Sequence, residues 1–286
     1  MDWLVRMNAV LDYIEDNLAG DIDYDVIAKV SLSSGDLFQR MFSNFTGISL
    51  SEYIRRRRLS SAAILLSKGN CSVIDVSLMY GYESPDSFSY AFKKLHGVTP
   101  LQAKNQGVVL KSYSKLSFQV HMKGGNEMKY RIVEKEAFKV IGSKIVTSQE
   151  ENMKKNAIPK FWDKVNADGS AEKMCTFSKE QSVLGVCYDG KPDGTFSYMI
   201  GVVSDKTSPD FEVITIPSAK WAVFECIGPM PKSIQKVWND IFQNFLPTSG
   251  YEHAPMADFE LYTYGDVKSP DYKSEVWIPI VPKKNK

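Results

Sequence analysis

The sequence predicts an all-α tandem helix-turn-helix domain followed by an α+β domain built of two pseudo-symmetric sheet-plus-helix repeats. Three observations predict it. Residues 25–49 recur at 75–99: Asp25, Val26, Ser34, Asp36, Phe38, Phe42 and Gly47 match Asp75, Val76, Ser84, Asp86, Phe88, Phe92 and Gly97. From Lys129 onward the hydrophobic period changes from helical to alternating. Within that second half, Lys160-Phe-Trp162-Asp-Lys-Val lies over Lys236-Val-Trp238-Asn-Asp-Ile at an offset of 76, with Lys144 over Lys220, Tyr188 over Tyr264 and Phe196 over Tyr272.

Leu4, Met7, Leu11, Ile14 and Leu18 mark one face of an opening amphipathic helix that ends near Gly20. Asp25–Val30 reads as a short helix, and Ser31–Ser34 as the turn after it. The next helix turns Leu37, Phe38, Met41, Phe42 and Phe45 inward and ends at Gly47. Leu50–Lys68 reads as one long helix. Its length fixes the separation of the two units, which suits successive major grooves about 34 Å apart. In the second unit Gly81 makes the turn, Ser84 is a natural N-cap and Pro85 suits the first helical position. Phe88, Phe92 and Leu95 form its buried stripe, Gly97 ends it and Pro100 lies beyond. Asp86, Ser87, Tyr90, Lys93 and Lys94 are left on the outer face.

A length of 286 suits one or two domains, and 43% hydrophobic with 12% aromatic residues supports real cores. No run of about 18 apolar residues exists, so no membrane span is expected. The start lacks a signal-peptide pattern, and a cytoplasmic protein is expected, on the nucleoid when bound to DNA. Cys71, Cys175, Cys187 and Cys226 have no CxxC spacing and read as free thiols, while His96, His121 and His253 show no metal-ligand spacing. No metal, no cofactor and no catalytic residue are expected, because the glycine-rich, GxSxG and HExxH patterns are all missing. Net charge is +1, and residues 1–110 carry 11 basic against 12 acidic side chains, so any basic footprint for nucleic acid is local.

Leu37-Phe-Gln-Arg-Met-Phe42, Tyr53-Ile-Arg-Arg-Arg-Arg-Leu59, and Gly81-Tyr-Glu-Ser84 through Gly97-Val-Thr-Pro100 resemble the AraC/XylS family of bacterial transcription regulators over roughly residues 5–105. The resemblance implies sequence-specific binding to double-stranded promoter DNA, usually to activate transcription, with RNA polymerase as a further partner. It carries the family's recognition positions onto Asp36, Gln39 and Arg40 in the first unit, and onto Asp86, Ser87 and Tyr90 in the second. Arg40 has the donors for guanine and Gln39 the groups for adenine. Asp36 and Asp86 sit near helix N-termini, where capping competes with base reading. Successive helical residues point about 100° apart, so Arg55 to Arg58 do not form one patch. Arg55, Lys93 and Lys94 are the phosphate candidates, and Arg58 suits a structural pairing.

Residues 109–128 read as a linker with a possible first strand at Leu116–Met122, separating domains at 1–108 and 129–286. Strands are expected at 130–133, 138–147, 183–188, 196–203, 211–216, 221–227, 259–264 and 275–280, with helices near 151–165 and 232–245. Two such repeats leave a cleft between them, a common ligand site. Gly185–Tyr188, Trp221–Pro229, the Trp238 helix, Phe259–Tyr262 and Ser274–Ile280 resemble the gyrase-inhibitor-like (GyrI-like) effector-binding domain over about 129–283. That resemblance implies an aromatic pocket for a small-molecule effector, with a glutamate on a late strand; Glu275 is the matching residue. If Val276, Ile278 and Ile280 pack on helices, Glu275 and Trp277 face the cleft. A glutamate among aromatics suits a lipophilic cation. Trp221, Tyr188, Tyr198, Tyr262 and Trp277 are candidate walls, and Glu225 and Glu260 are competing acids. Two other roles stay open for this half: hydrolysis of a reactive small molecule, or protein contacts without a ligand.

Overall fold

The computed structural model describes residues 3–119, 128–191 and 193–283. Among the described residues, six helices occupy positions 3–100: α1 (Trp3–Asp16), α2 (Tyr24–Ser31), α3 (Gly35–Thr46), α4 (Leu50–Ser67), α5 (Val73–Met79) and α6 (Pro85–His96). The chain forms two compact units. One comprises residues 3–32 and 48–119; the other comprises residues 33–47, which hold α3, together with 128–191 and 193–283.

The helix starts follow from one local device. Asp23, Ser34, Ser49, Ser72 and Ser84 each accept a hydrogen bond from the backbone N–H two or three residues on. Each such cap contributes about 1 kcal/mol. Gly47 and Gly97 end α3 and α6 in the left-handed region, at φ 70° and 82°. In the first unit Met7, Leu11, Ile14, Ile27, Leu50, Leu59, Leu66, Val76, Phe88 and Phe92 are buried. Their helical spacing is what the sequence shows.

The expected linker packs onto this unit. Its backbone N–H groups at Lys111, Tyr113, Leu116 and Phe118 donate to His96 Nδ1, Ser60 Oγ, Tyr53 Oη and Asn8 Oδ1 at 2.8–3.3 Å. Residues 116–119 form no strand, because side chains of the helical unit satisfy this backbone. The rest of the expected strand lies outside the described residues, as does His121.

The second unit is a nine-stranded sheet with helices on one face. Its strands are β1 (Tyr130–Lys135), β2 (Phe138–Ser148), β3 (Ser182–Tyr188), β4 (Thr195–Val203), β5 (Glu212–Ile216), β6 (Ala219–Ile227), β7 (Tyr251–His253), β8 (Asp258–Thr263) and β9 (Lys273–Pro282). Its helices, besides α3, are α7 (Gln149–Lys155), α8 (Ala157–Ala167), α9 (Ser170–Cys175) and α10 (Lys232–Asp240), the last continuing as a π turn over Ile241–Phe245. The strand order β1-β6-β9-β8-β3-β4-β2-β5 is palindromic in repeat terms. β2, α8, β3 and β4 form one repeat; β6, α10, β8 and β9 form the other; the repeats join where β3 pairs β8. The lead-in strands are exchanged. β1 runs into β2 yet pairs with β6, and β5 runs into β6 yet pairs with β2.

Register fixes which residues share a face. Gly185 and Val276 lie opposite Glu260, whereas Phe259 faces Val186 and Trp277, and Leu261 faces Leu184 and Glu275. The Phe259 side carries an apolar core of Leu184, Val186, Met199, Trp221, Val223 and Trp277. The Glu260 side faces the helices.

Candidate ligand cavity and nucleic-acid interface

A cavity of about 660 Å³ lies over the β3–β8 junction, walled by α8, α10 and α3. This size is ordinary for a small-molecule site. Trp162 of α8 and Trp238 of α10, the pair the internal repeat superimposes, stand on either side of it. Their partners break the symmetry. Trp162 Nε1 donates to Tyr198 Oη at 3.0 Å, and Trp238 Nε1 donates to Glu260 Oε1 at 2.7 Å. Tyr262 Oη donates to Glu260 Oε2 at 2.6 Å, while its ring meets Trp162 edge to face at 5.0 Å. The floor needs Gly185: a Cβ there would overlap the Tyr198 phenol oxygen and stand 3.5 Å from Glu260 Oε2.

Burial raises the Glu260 carboxyl above its ordinary range, against the two hydrogen bonds it accepts from Tyr262 and Trp238. Burial also raises the Tyr198 and Tyr262 phenols, so both stay protonated at neutral pH. Asp258, two residues before Glu260 on the same strand face, behaves oppositely. Burial alone would raise it, but Arg40, with a hydrogen bond from His253, holds it down to about 2. The cavity thus offers aromatic faces, fixed donors and the half-buried carboxyl of Glu260, whose hydrogen bonds come from the neutral Trp238 and Tyr262 side chains.

Of the expected wall residues, Tyr198 and Tyr262 line this cavity. Trp221 and Trp277 lie in the core on the opposite face, and Tyr188 packs against it. Glu275 is also on that side, accepting from Arg131 Nη2 and Trp277 Nε1 at 2.8 Å each. The alternation along β9 is as expected, but its sense is reversed. The helices are themselves the cavity's other wall, so the face that packs on helices is the cavity face. The acid there is Glu260, and Glu225 shares the Glu275 side. Trp162 and Trp238 were absent from the expected walls. Their coincidence in the repeat was the available signal.

In the first unit α6 presents Asp86, Ser87, Tyr90, Lys93 and Lys94 to solvent, with Tyr90 72% exposed. Ser87 also donates to the Ser84 carbonyl at 2.8 Å, tying it to the cap. The four arginines of α4 diverge. Arg55 pairs with Glu52 and keeps 43% of its side chain exposed. Arg56 pairs with Glu52 at 2.6 Å and covers the Tyr113 ring. Arg57 forks onto Glu15 at 2.7–3.1 Å, and Arg58 donates to the carbonyls of Leu18 and Gly20 at 3.1 and 2.5 Å.

The other three expected base readers, on α3, are covered. Arg40 forms a two-pronged pair with Asp258, Nη1 to Oδ1 at 2.9 Å, with only 11% and 3% of the side chains exposed. Gln39 is 6% exposed and lies against Gly194, and the Asp36 carboxyl lies against Gly190. A side chain at either glycine would overlap them.

Comparison with known proteins finds relatives for both halves of the chain. Residues 131–280 match the family model of the integron-associated effector binding protein, and residues 27–106 match a helix-turn-helix domain model. The chain is 35% identical to the probable transcription factor PqrA of Proteus vulgaris, over 40% of this chain and 96% of that one. It is 39% identical to the transcriptional activator AarP of Providencia stuartii, over 33% and 70%. The solved structure of SAV2435 bound to tetraphenylphosphonium aligns with a TM-score of 0.50 and 26% identity, covering 54% of this chain and 94% of that one. The chain is a member of the AraC-type family of DNA-binding transcription regulators and carries an effector-binding domain of the integron-associated, GyrI-like type.

Proposed function

We propose that this protein is a transcription activator whose DNA binding responds to a lipophilic organic cation held in the cavity. The observation that carries the ligand class is Glu260: a half-buried carboxyl, gripped by Trp238 and Tyr262, in a cavity walled by aromatic side chains. A cation there gains a counter-charge and aromatic faces together, each strengthened by exclusion of water. The tetraphenylphosphonium complex of SAV2435 supports the same class. AarP, an activator, supports the direction of regulation. Tyr90 and Ser87 of α6 read bases, Asp86 serves its helix start, and Lys93, Lys94 and Arg55 meet phosphates. Arg40 and Gln39 of α3, beside Asp36, carry donors and acceptors matched to guanine and adenine, but as covered here they read bases only once α3 is released. Promoter-bound protein then recruits RNA polymerase.

The test is calorimetric titration of tetraphenylphosphonium into the full chain and its Glu260→Gln variant. At about 6 Å and an effective dielectric of 20, one charge pair contributes about 3 kcal/mol, roughly a hundredfold in affinity. Equal affinities in the two proteins, or no binding to the native chain, defeat the reading.

A further inference from the structure

Asp36, Gln39 and Arg40 lie three and four residues apart and therefore share one edge of α3. That edge rests on the β3–β4 turn, where Gly190 and Gly194 leave room for Asp36 and Gln39. Arg40 reaches further, into the cavity wall. Its guanidinium carbon stands 5.4 Å from the centroid of the Trp238 ring, the same tryptophan whose indole N–H holds Glu260. Its two terminal nitrogens grip Asp258, whose other side-chain neighbour is His253 Nε2 at 3.2 Å. A planar delocalised cation on an aromatic face against a buried carboxylate is the arrangement an organic cation would seek in this cavity. Here the chain's own side chain provides it.

Building on the reading of the cavity as a cation site, we infer that Asp258 and the face of Trp238 form a second cation subsite, which Arg40 fills as a tethered ligand. Asp258 and Glu260 project from the same strand face two residues apart, about 7 Å along β8. The subsite takes guanidinium, amidinium or comparable delocalised cations carrying aryl groups. A cation in it excludes Arg40. α3 then loses its only buried ion pair among the described residues, and Arg40, Gln39 and Asp36 become free to meet base edges. Ligand and recognition edge compete for one place, so ligand binding and exposure of α3 are the same event. This differs from a ligand acting at a distance.

The experiment titrates 1,3-diphenylguanidinium into the full-length native chain, Arg40→Gln, and Arg40→Gln combined with Asp258→Asn. Arg40→Gln removes the competitor, so it binds at least about tenfold tighter, the factor for a subsite that Arg40 vacates no more than about a tenth of the time. The double variant loses that gain. Hydrogen exchange of residues 35–47 in the native chain speeds up when the cation is added, a readout that needs no substitution. Binding that is equal or weaker in Arg40→Gln overturns the subsite while leaving the cavity a cation site. Exchange in 35–47 that is unchanged or slowed by bound cation overturns the release of α3. No binding to any of the three chains overturns the cation reading and this inference with it.

Discussion

Replacing Arg57 by alanine separates structure from DNA contact within the run Arg55–Arg58. Arg57 makes three contacts of 2.7–3.1 Å with Glu15 and also donates to the Tyr113 carbonyl. Glu15 accepts a further bond from Tyr53 at 2.8 Å. Burial would raise the Glu15 carboxyl, but the bonds from Arg57 and Tyr53 more than offset it and keep Glu15 ionised. The two side chains are 16% and 12% exposed, so the pair lies between a surface bridge and a buried one. Removing one partner of a fully buried pair costs about 3–5 kcal/mol, and an exposed one under about 1 kcal/mol. About 2–3 kcal/mol is expected here, roughly 10 °C in the melting temperature of a unit this size. Arg55→Ala, at the 43% exposed site, stays within about 0.5 kcal/mol of the native chain. It instead lowers the salt slope of DNA binding by about 1. The assay pairs thermal unfolding followed by circular dichroism with duplex-DNA titrations over a salt series. Two variants that melt alike, or that reduce the salt slope alike, refute the division of labour.

Three further outcomes are expected. Burial lowers the pKa of His96, whose ring lies 4.2 Å from Phe92 and whose Nε2 meets the Leu59 carbonyl. The unfolded chain therefore takes up its proton first, and stability of the helical unit is full above about pH 6.5 and declines as pH falls below it. His96→Phe should flatten that decline in a melting series. Glu260 has a raised pKa, so its affinity for a permanent cation such as tetraphenylphosphonium should climb as pH rises through that pKa, above the ordinary carboxyl range; a flat profile counts against Glu260 as the counter-charge. Gly185→Ala should displace the Tyr198 phenol, break its bond from Trp162 and destabilise the sheet unit by about 1–3 kcal/mol, measured by denaturant titration; an unchanged midpoint removes the close approach.

The helical elements are legible because their information is local. Ser34 and Ser84 cap, Phe38, Phe42, Phe88 and Phe92 point inward, and Gly47 and Gly97 terminate. Alternation likewise finds eight strands, and β7 and α9 escape because three and six residues carry too little pattern. The cavity is harder to read. Period two separates Glu275 and Trp277 from Val276 and Ile278, yet nothing local says which side bears the helices. The polar alternation Asp258, Glu260, Tyr262 against Phe259 and Leu261 holds that information, but only the pairing of β8 with β3 and β9 gives it meaning. Arg40 is the extreme case. Its partner Asp258 is 218 residues away, and no local pattern on α3 announces the pair.

The exchanged lead-in strands bear on how this chain is dissected and how it folds. Val133 of β1 pairs with Trp221, and Phe138 of β2 pairs with Ile216, so each half of the duplication is completed by a strand from the other. A fragment cut in the loop between β4 and β5 keeps β1 without its partner and leaves β2 with a bare edge. Neither piece should fold on its own, and reconstitution should need both together. Every one of these closures joins distant sequence, so the loop entropy is lost before the pairing compensates it. The sheet unit should therefore be the slow, cooperative part of the molecule, forming after its helical companion and largely all at once.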